Sequence, residues 1–90
     1  MKIEPSTRKD KRFSAVFKNG QIVHFGSKNG STYIDHHDKI KRDNYIKRHS
    51  KLYEYWDDPY SAGSLSRYLL WGNHTSLNDN HKAFMERFFS

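Results

Sequence analysis

The sequence predicts an α+β fold, an N-terminal β-hairpin followed by three helices. Apolar and polar side chains alternate at a two-residue period on the approach to Asn19-Gly20, which predicts the hairpin. Apolar residues at helical spacing, introduced by the capping residues Asp38 and Ser76, predict helices further on. Strand signals come first and helix signals follow, the order of an α+β chain.

Met1 to Asp10 reads as a flexible basic tail, with Pro5, few apolar residues and no periodicity. Residues 11–90 read as a single domain without internal repeats. Phe13, Ala15 and Phe17 alternate with Ser14 and Val16, and Ile22, Val23, His24 and Phe25 run to Gly26. Asn19-Gly20 between them is the commonest two-residue type I′ turn, in which both positions need positive φ. Such a turn pairs Phe17 with Ile22, Val16 with Val23 and Ala15 with His24, so both faces carry apolar side chains.

Gly26 to Asp35 reads as a loop, with Tyr33 and Ile34 as a short extended stretch or anchor. Asp38 then caps a helix from about Lys39 to Leu52. Tyr45, His49 and Leu52 share one face of it, and Lys41, Lys47, Arg48 and Lys51 are placed on the opposite side. Asp57-Asp58-Pro59 breaks the chain. Ala62 to Trp71 is the next helix, with Leu65, Leu69 and Leu70 in the core. Ser61, Ala62, Gly63 and Ser64 are small, so another element can approach its start closely. Gly72-Asn73 ends it. Ser76 caps the last helix, with Asp79 in place of the usual Glu of a capping box. Leu77, His81, Phe84 and Phe88 form its apolar stripe, expected to pack on the hairpin or on the preceding helix.

Ninety residues bury only roughly 60–65% of the unfolded surface, so most large apolar residues must enter the core. Six Phe, six Tyr and two Trp make that core aromatic. With no cysteine, disulfides and cysteine–zinc sites are excluded. No apolar run is long enough to span a membrane, and the charged N-terminus does not read as a signal peptide. The net charge of +6 is uneven. Residues 1–51 hold 13 Lys/Arg against 5 Asp/Glu, a balance of +8, and residues 52–90 hold 3 against 5, a balance of −2. That asymmetry points to one surface for a polyanion.

Asp35-His36-His37-Asp38 is the densest set of possible metal ligands, with His49 further on. Neighbouring residues of an extended segment point apart, and His49 lies about three helical turns away. The string therefore reads as a surface turn and helix cap, with no metal and no cofactor. No Gly-x-Ser-x-Gly elbow and no phosphate-binding glycine loop occur. What remains is a binding set, in which Arg42, Lys47, Arg48 and Lys51 are interspersed with Tyr45, Tyr53, Tyr55 and Trp56. Charges of this kind neutralise phosphates and rings of this kind stack on bases. The nucleic-acid contacts assigned are Lys9, Lys11, Arg12, Lys41, Lys47, Arg48 and Lys51. No base-reading motif accompanies them, so base-edge specificity is not expected. Arg67, Trp56 and Trp71 read as structural, and Arg67 is expected to hold Asp57 or Asp58.

One segment is distinctive: Trp56-x-Asp58-Pro59-Tyr60-x-Ala62-Gly63-x-Leu65-Ser66-Arg67-Tyr68-Leu69-Leu70-Trp71. With Phe25-Gly26-x-Lys28, Tyr33, His36-x-Asp38 and Tyr45-Ile46-x-Arg48-His49, it resembles a family of small uncharacterised proteins of giant nucleocytoplasmic DNA viruses of algae and protists. The resemblance runs from about Arg12 to Phe88. It departs at Trp71-Gly72-Asn73-His74, where family members often carry Lys-Pro after Trp-Asn. It implies a viral origin and brings no catalytic residues. The expectation is a non-enzymatic viral protein that binds nucleic acid, DNA ahead of RNA, in the virion or the infected host cell. The rival is a minor capsid protein whose basic face meets other virion proteins, and a small nuclease is a third reading.

Overall fold

A computed structural model describes residues 1–52 and 54–90. The chain falls into two compact units, Met1–Gly30 and Ser31–Ser90. The boundary lies at the turn residues Asn29-Gly30-Ser31, where the sequence patterning had suggested only a loop. The α+β class holds: strands come first and helices follow.

The first unit is a three-stranded antiparallel sheet rather than a hairpin, in the order β1 (Lys2–Pro5), β2 (Lys11–Val16), β3 (Ile22–Ser27). Part of the expected tail is therefore β1, with Ile3 opposite Ala15 and Pro5 opposite Phe13. A four-residue strand offers too little alternation to be recognised, and Pro5 is tolerated because β1 is an edge strand. Ala15 and Phe25 are fully buried, and Phe13 sits across from Phe25 with ring centres 5.9 Å apart.

The hairpin turn also departs from expectation. Phe17 N–H donates to the Gln21 carbonyl (2.9 Å), and Gly20 N–H donates to the Phe17 carbonyl (3.0 Å). Gly20 alone is left-handed, at φ +92°, while Asn19 is not among the positive-φ residues. This is a three-residue loop, a type I turn closed by a left-handed glycine, and not a type I′ turn. The Asn19 side chain accepts from Gln21 N–H (3.0 Å), a local bond that suits this turn. The register shifts accordingly: Val16 faces Ile22, Ala15 faces Val23, and Ser14 faces His24. Nothing lies within 4 Å of a Cβ placed on Gly20, so only backbone strain opposes a side chain there. Gly20→Val is expected to lower stability by roughly 1 kcal/mol or more, because a β-branched residue resists positive φ. An unchanged urea midpoint would contradict the turn.

The second unit holds α1 (Tyr33–His36), α2 (Lys39–His49), α3 (Ala62–Leu65) and α4 (Leu77–Phe89). The single turn α1 replaces the expected loop, its start fixed by Asp35, whose carboxylate accepts from the Thr32 N–H and hydroxyl. Asp38 caps α2 as predicted, accepting from Ile40 and Lys41 N–H at 2.9 and 3.2 Å. That helix ends at His49 rather than Leu52. From α3 the chain continues as a wider π-helical turn, Ser66–Leu70, where Trp71 N–H donates to the Ser66 carbonyl. Ser76 caps α4 as predicted, and Phe88 of α4 meets Tyr68 with ring centres 5.8 Å apart, so the stripe packs on the preceding helix. Tyr33, Tyr45, Leu65, Leu69, Leu70 and Phe84 are buried. No helix among the described residues is long and apolar enough to cross a membrane.

Candidate nucleic-acid interface

The expected contact residues divide between the units. Lys9, Lys11 and Arg12 belong to the first. Lys9 is exposed before β2, Lys11 stands opposite Ser27, and the half-buried Arg12 guanidinium lies 5.0 Å from the Phe13 ring centre. Lys41, Lys47, Arg48 and Lys51 belong to the second and are all exposed. Among the described residues none of these four forms an ion pair.

Their disposition on α2 differs from the expected single opposite side. Lys41 and Arg48, seven residues apart, stack along one line that flanks buried Tyr45. Lys47 lies about 100° further round, nearly opposite Tyr45. Lys51 follows the helix end. Exposed Asn44 lies between the two lines, and exposed Asp43 borders Lys47. The cations thus form a band along α2 that continues past its C-terminus, where the helix dipole itself favours positive charge.

Basic and aromatic residues that alternate in sequence separate in space. Tyr45 stacks between Trp71 (4.2 Å, 4° between planes) and His49 (4.1 Å, 24°), so its ring is core. Burial, reinforced by the Glu54 carboxylate, raises its hydroxyl well above the ordinary phenol range, while Arg67 and Arg48 act in the opposite sense. Arg42 is structural: its guanidinium donates to the carbonyls of Trp71 (3.2 Å) and Gly72 (2.8 Å) and to Asn73 Oδ1 (2.7 Å). Trp56 is half-buried and donates to Glu54 (3.2 Å). Tyr53 lies outside the described residues. Tyr55 is the ring that remains at the surface, 59% exposed and in the left-handed region at φ 53°. It borders a groove of about 430 Å³ shared with His49, Leu52 and Trp56. Glu54 also lines this groove, but its carboxylate is engaged by His49 at 2.8 Å as well as by Trp56.

Arg67 does not pair with Asp57 or Asp58 among the described residues. Its guanidinium lies 5.3 Å from the Trp56 ring centre and 5.1 Å from that of Tyr68, and it donates to the Trp71 carbonyl (2.9 Å). Aromatic faces and a carbonyl replace the expected carboxylate, because the Asp58 carboxylate serves the turn at Pro59 by accepting from Tyr60 N–H. Burial first, and the neighbouring Arg42 charge second, lower the proton affinity of Arg67.

The Asp35–Asp38 cluster is spent on local structure. His36 Nδ1 accepts from Asp38 N–H (2.9 Å) and its ring lies 5.4 Å from that of Trp71. His37 is the left-handed cap of α1. No group of three or more metal-ligating side chains occurs among the described residues.

Residues 1–49 match a family of unknown function, DUF5754. The chain belongs to that family. The matched part spans the whole sheet, α1 and α2, and so includes every assigned contact except Lys51, while the distinctive Asp58–Trp71 segment lies beyond it. No curated protein and no solved structure matches the chain.

Sequence reasoning missed Glu54, which ties His49 to Trp56, and put Arg42 in the binding set, whereas its three bonds hold residues 71–73. Neither shows in periodicity. The position of Arg42 beside Tyr45 on the inner face of α2 was the one available sign.

Proposed function

We propose that this chain is a non-enzymatic basic protein that binds nucleic acid through phosphate contacts, without reading base edges. The observation that supports this most is the band Lys41, Lys47, Arg48 and Lys51, exposed and without ion pairs among the described residues, close in sequence to the exposed Tyr55 ring. Unpaired cations release counterions when they meet phosphates, and an exposed ring accepts any base. A viral setting, with DNA ahead of RNA and packaging in the virion, belongs to the same proposal and rests on the family resemblance of the sequence.

Titration with a labelled duplex of roughly 20 base pairs at several salt concentrations tests it. Lys41, Lys47 and Arg48 of α2 and Lys51 beyond it, with Lys9, Lys11 and Arg12, supply about five to seven contacts. At roughly −0.9 per neutralised phosphate, log K against log salt should slope near −4 to −6. Replacing Lys47, Arg48 and Lys51 together by Gln should bring the slope about 3 closer to zero and leave the melting temperature within a few degrees, since all three are exposed. Absence of binding at low salt would remove nucleic acid and leave an acidic protein surface, such as a capsid partner, as the reading.

A further inference from the structure

Tyr68 is flanked by two guanidinium groups, that of Arg67 at 5.1 Å from its ring centre and that of Arg87 at 4.4 Å. With Asn73 these residues line a cleft of about 410 Å³. A water's share of the liquid is roughly 30 Å³, so the cleft admits a group several times larger. Arg42 reaches the same turn from α2 and donates to Asn73 Oδ1 at 2.7 Å. That bond fixes the Asn73 amide, leaving its N–H₂ for another acceptor.

Three guanidinium groups therefore gather about residues 67–73. Among the described residues no carboxylate forms an ion pair with any of them. Glu86 lines the cleft, yet pairs with neither Arg67 nor Arg87. Their acceptors are neutral, namely the Trp71 and Gly72 carbonyls and the Asn73 amide. Arg67 Nε is buried and has no hydrogen-bond partner among the described residues. Arg42 and Arg67 are half-buried and Arg87 is exposed. Like charges brought together with two of them partly desolvated are costly unless an anion joins them, and planar guanidinium forks suit tetrahedral oxyanions.

We propose that this cleft binds a doubly charged tetrahedral oxyanion, either inorganic phosphate or a terminal phosphate monoester, with Arg87 and Arg67 supplying charge and Asn73 an amide donor. The site uses none of the α2 cations of the proposed nucleic-acid surface and stands or falls separately.

The intact chain is melted in inorganic phosphate and in chloride at equal ionic strength. With affinity near 1 mM, about 10 mM phosphate should raise the melting temperature by roughly 6–11 °C over chloride. Arg87→Gln should melt near the wild type in chloride, because Arg87 is exposed, and lose the phosphate increment. The chain carrying Gln at Lys47, Arg48 and Lys51 should keep that increment, which separates this site from the α2 surface. Coincident melting in phosphate and chloride, or an increment that survives Arg87→Gln, overturns the proposal. A 5′-phosphorylated oligonucleotide compared with its 5′-hydroxyl twin then identifies the source: preference for the phosphorylated strand assigns the cleft to a nucleic-acid end, and equal binding assigns it to the free ion.

Discussion

Asn80→Ala is expected to lower stability by about 3 kcal/mol and the melting temperature by roughly 15 °C. Asn80 is 1% exposed, and both ends of its amide are used. Nδ2 donates to the carbonyls of Leu69 (3.0 Å) and His74 (2.9 Å), and Oδ1 accepts from His74 N–H (3.0 Å). One side chain of α4 thus holds both sides of the turn that follows the π-helical segment. Gly72 makes room for it, since a Cβ there would lie 2.6 Å from Asn80 Oδ1. Alanine removes all three bonds at once. The groups of exposed His74 can turn to water, but Leu69 is wholly buried and its carbonyl loses the amide donor. Each buried group left unpaired costs about 1–3 kcal/mol, and the vacated volume adds to that.

Asn80→Asp sharpens the test, because it keeps the shape and reverses the polarity. An ionised carboxyl would face two carbonyls with no donor to give them. Burial and those carbonyls raise the introduced carboxyl above its unfolded value of about 4. For a carboxyl raised on folding, stability is greatest below the unfolded pKa and falls as pH rises through the folded one. Its deficit relative to the wild type should therefore widen from pH 4 to pH 7, while that of Asn80→Ala stays level. Urea unfolding at the two pH values measures both. An alanine variant within about 1 kcal/mol of the wild type would show that the amide does not hold the turn.

What was legible in the sequence follows from how local each determinant is. Asp38 and Ser76 act on backbone groups two or three residues away, so both caps could be read directly. The stripe Leu77, His81, Phe84 and Phe88 is likewise a property of one helix. The hairpin was legible but its register was not. Asn-Gly suits both a two-residue type I′ loop and the last two positions of a three-residue loop, and the choice shifts every cross-strand partner by one. Strand β1 escaped because only Ile3 of its four residues is even half-buried.

At the candidate site the limit was of another kind. Arg42, Lys47, Arg48 and Tyr45 look alike as a basic and aromatic string. Burial separates them, and burial depends on Trp71, more than twenty residues away along the chain. The exposed Lys41, Lys47, Arg48 and Lys51 kept the assigned role open, while Tyr45 was buried in the core and Arg42 was tied to the turn at residues 71–73. Arg87, Arg67 and Asn73 meet only because α4 folds back on the π-helical turn, which no spacing in the sequence announces.

Gly63→Ala is expected to destabilise by about 3 kcal/mol, and its sign is as informative as its size. Gly63 lies in α3. In an exposed helix interior, alanine is better than glycine by about 1 kcal/mol, so helix propensity alone predicts a more stable variant. Packing predicts the reverse. A Cβ on Gly63 would lie 2.6 Å from Glu54 Cβ and would overlap the Glu54 carbonyl oxygen. The obstruction is backbone and the root of a side chain, so no rotamer change relieves it. The segment must move, and Glu54 cannot move alone. Its carboxylate is bound by His49 (2.8 Å) and Trp56 (3.2 Å), and its carbonyl accepts from the Ser61 hydroxyl (3.3 Å). Displacing it loosens the cap of α3, the ring of Trp56 under Arg67, and the His49 side of the Tyr45 stack. The melting temperature should fall by roughly 12–20 °C, with loss of near-ultraviolet dichroism from the tryptophans ahead of the far-ultraviolet helical signal. A Gly63→Ala chain that melts above the wild type would mean that α3 and Glu54 do not meet at this distance in solution.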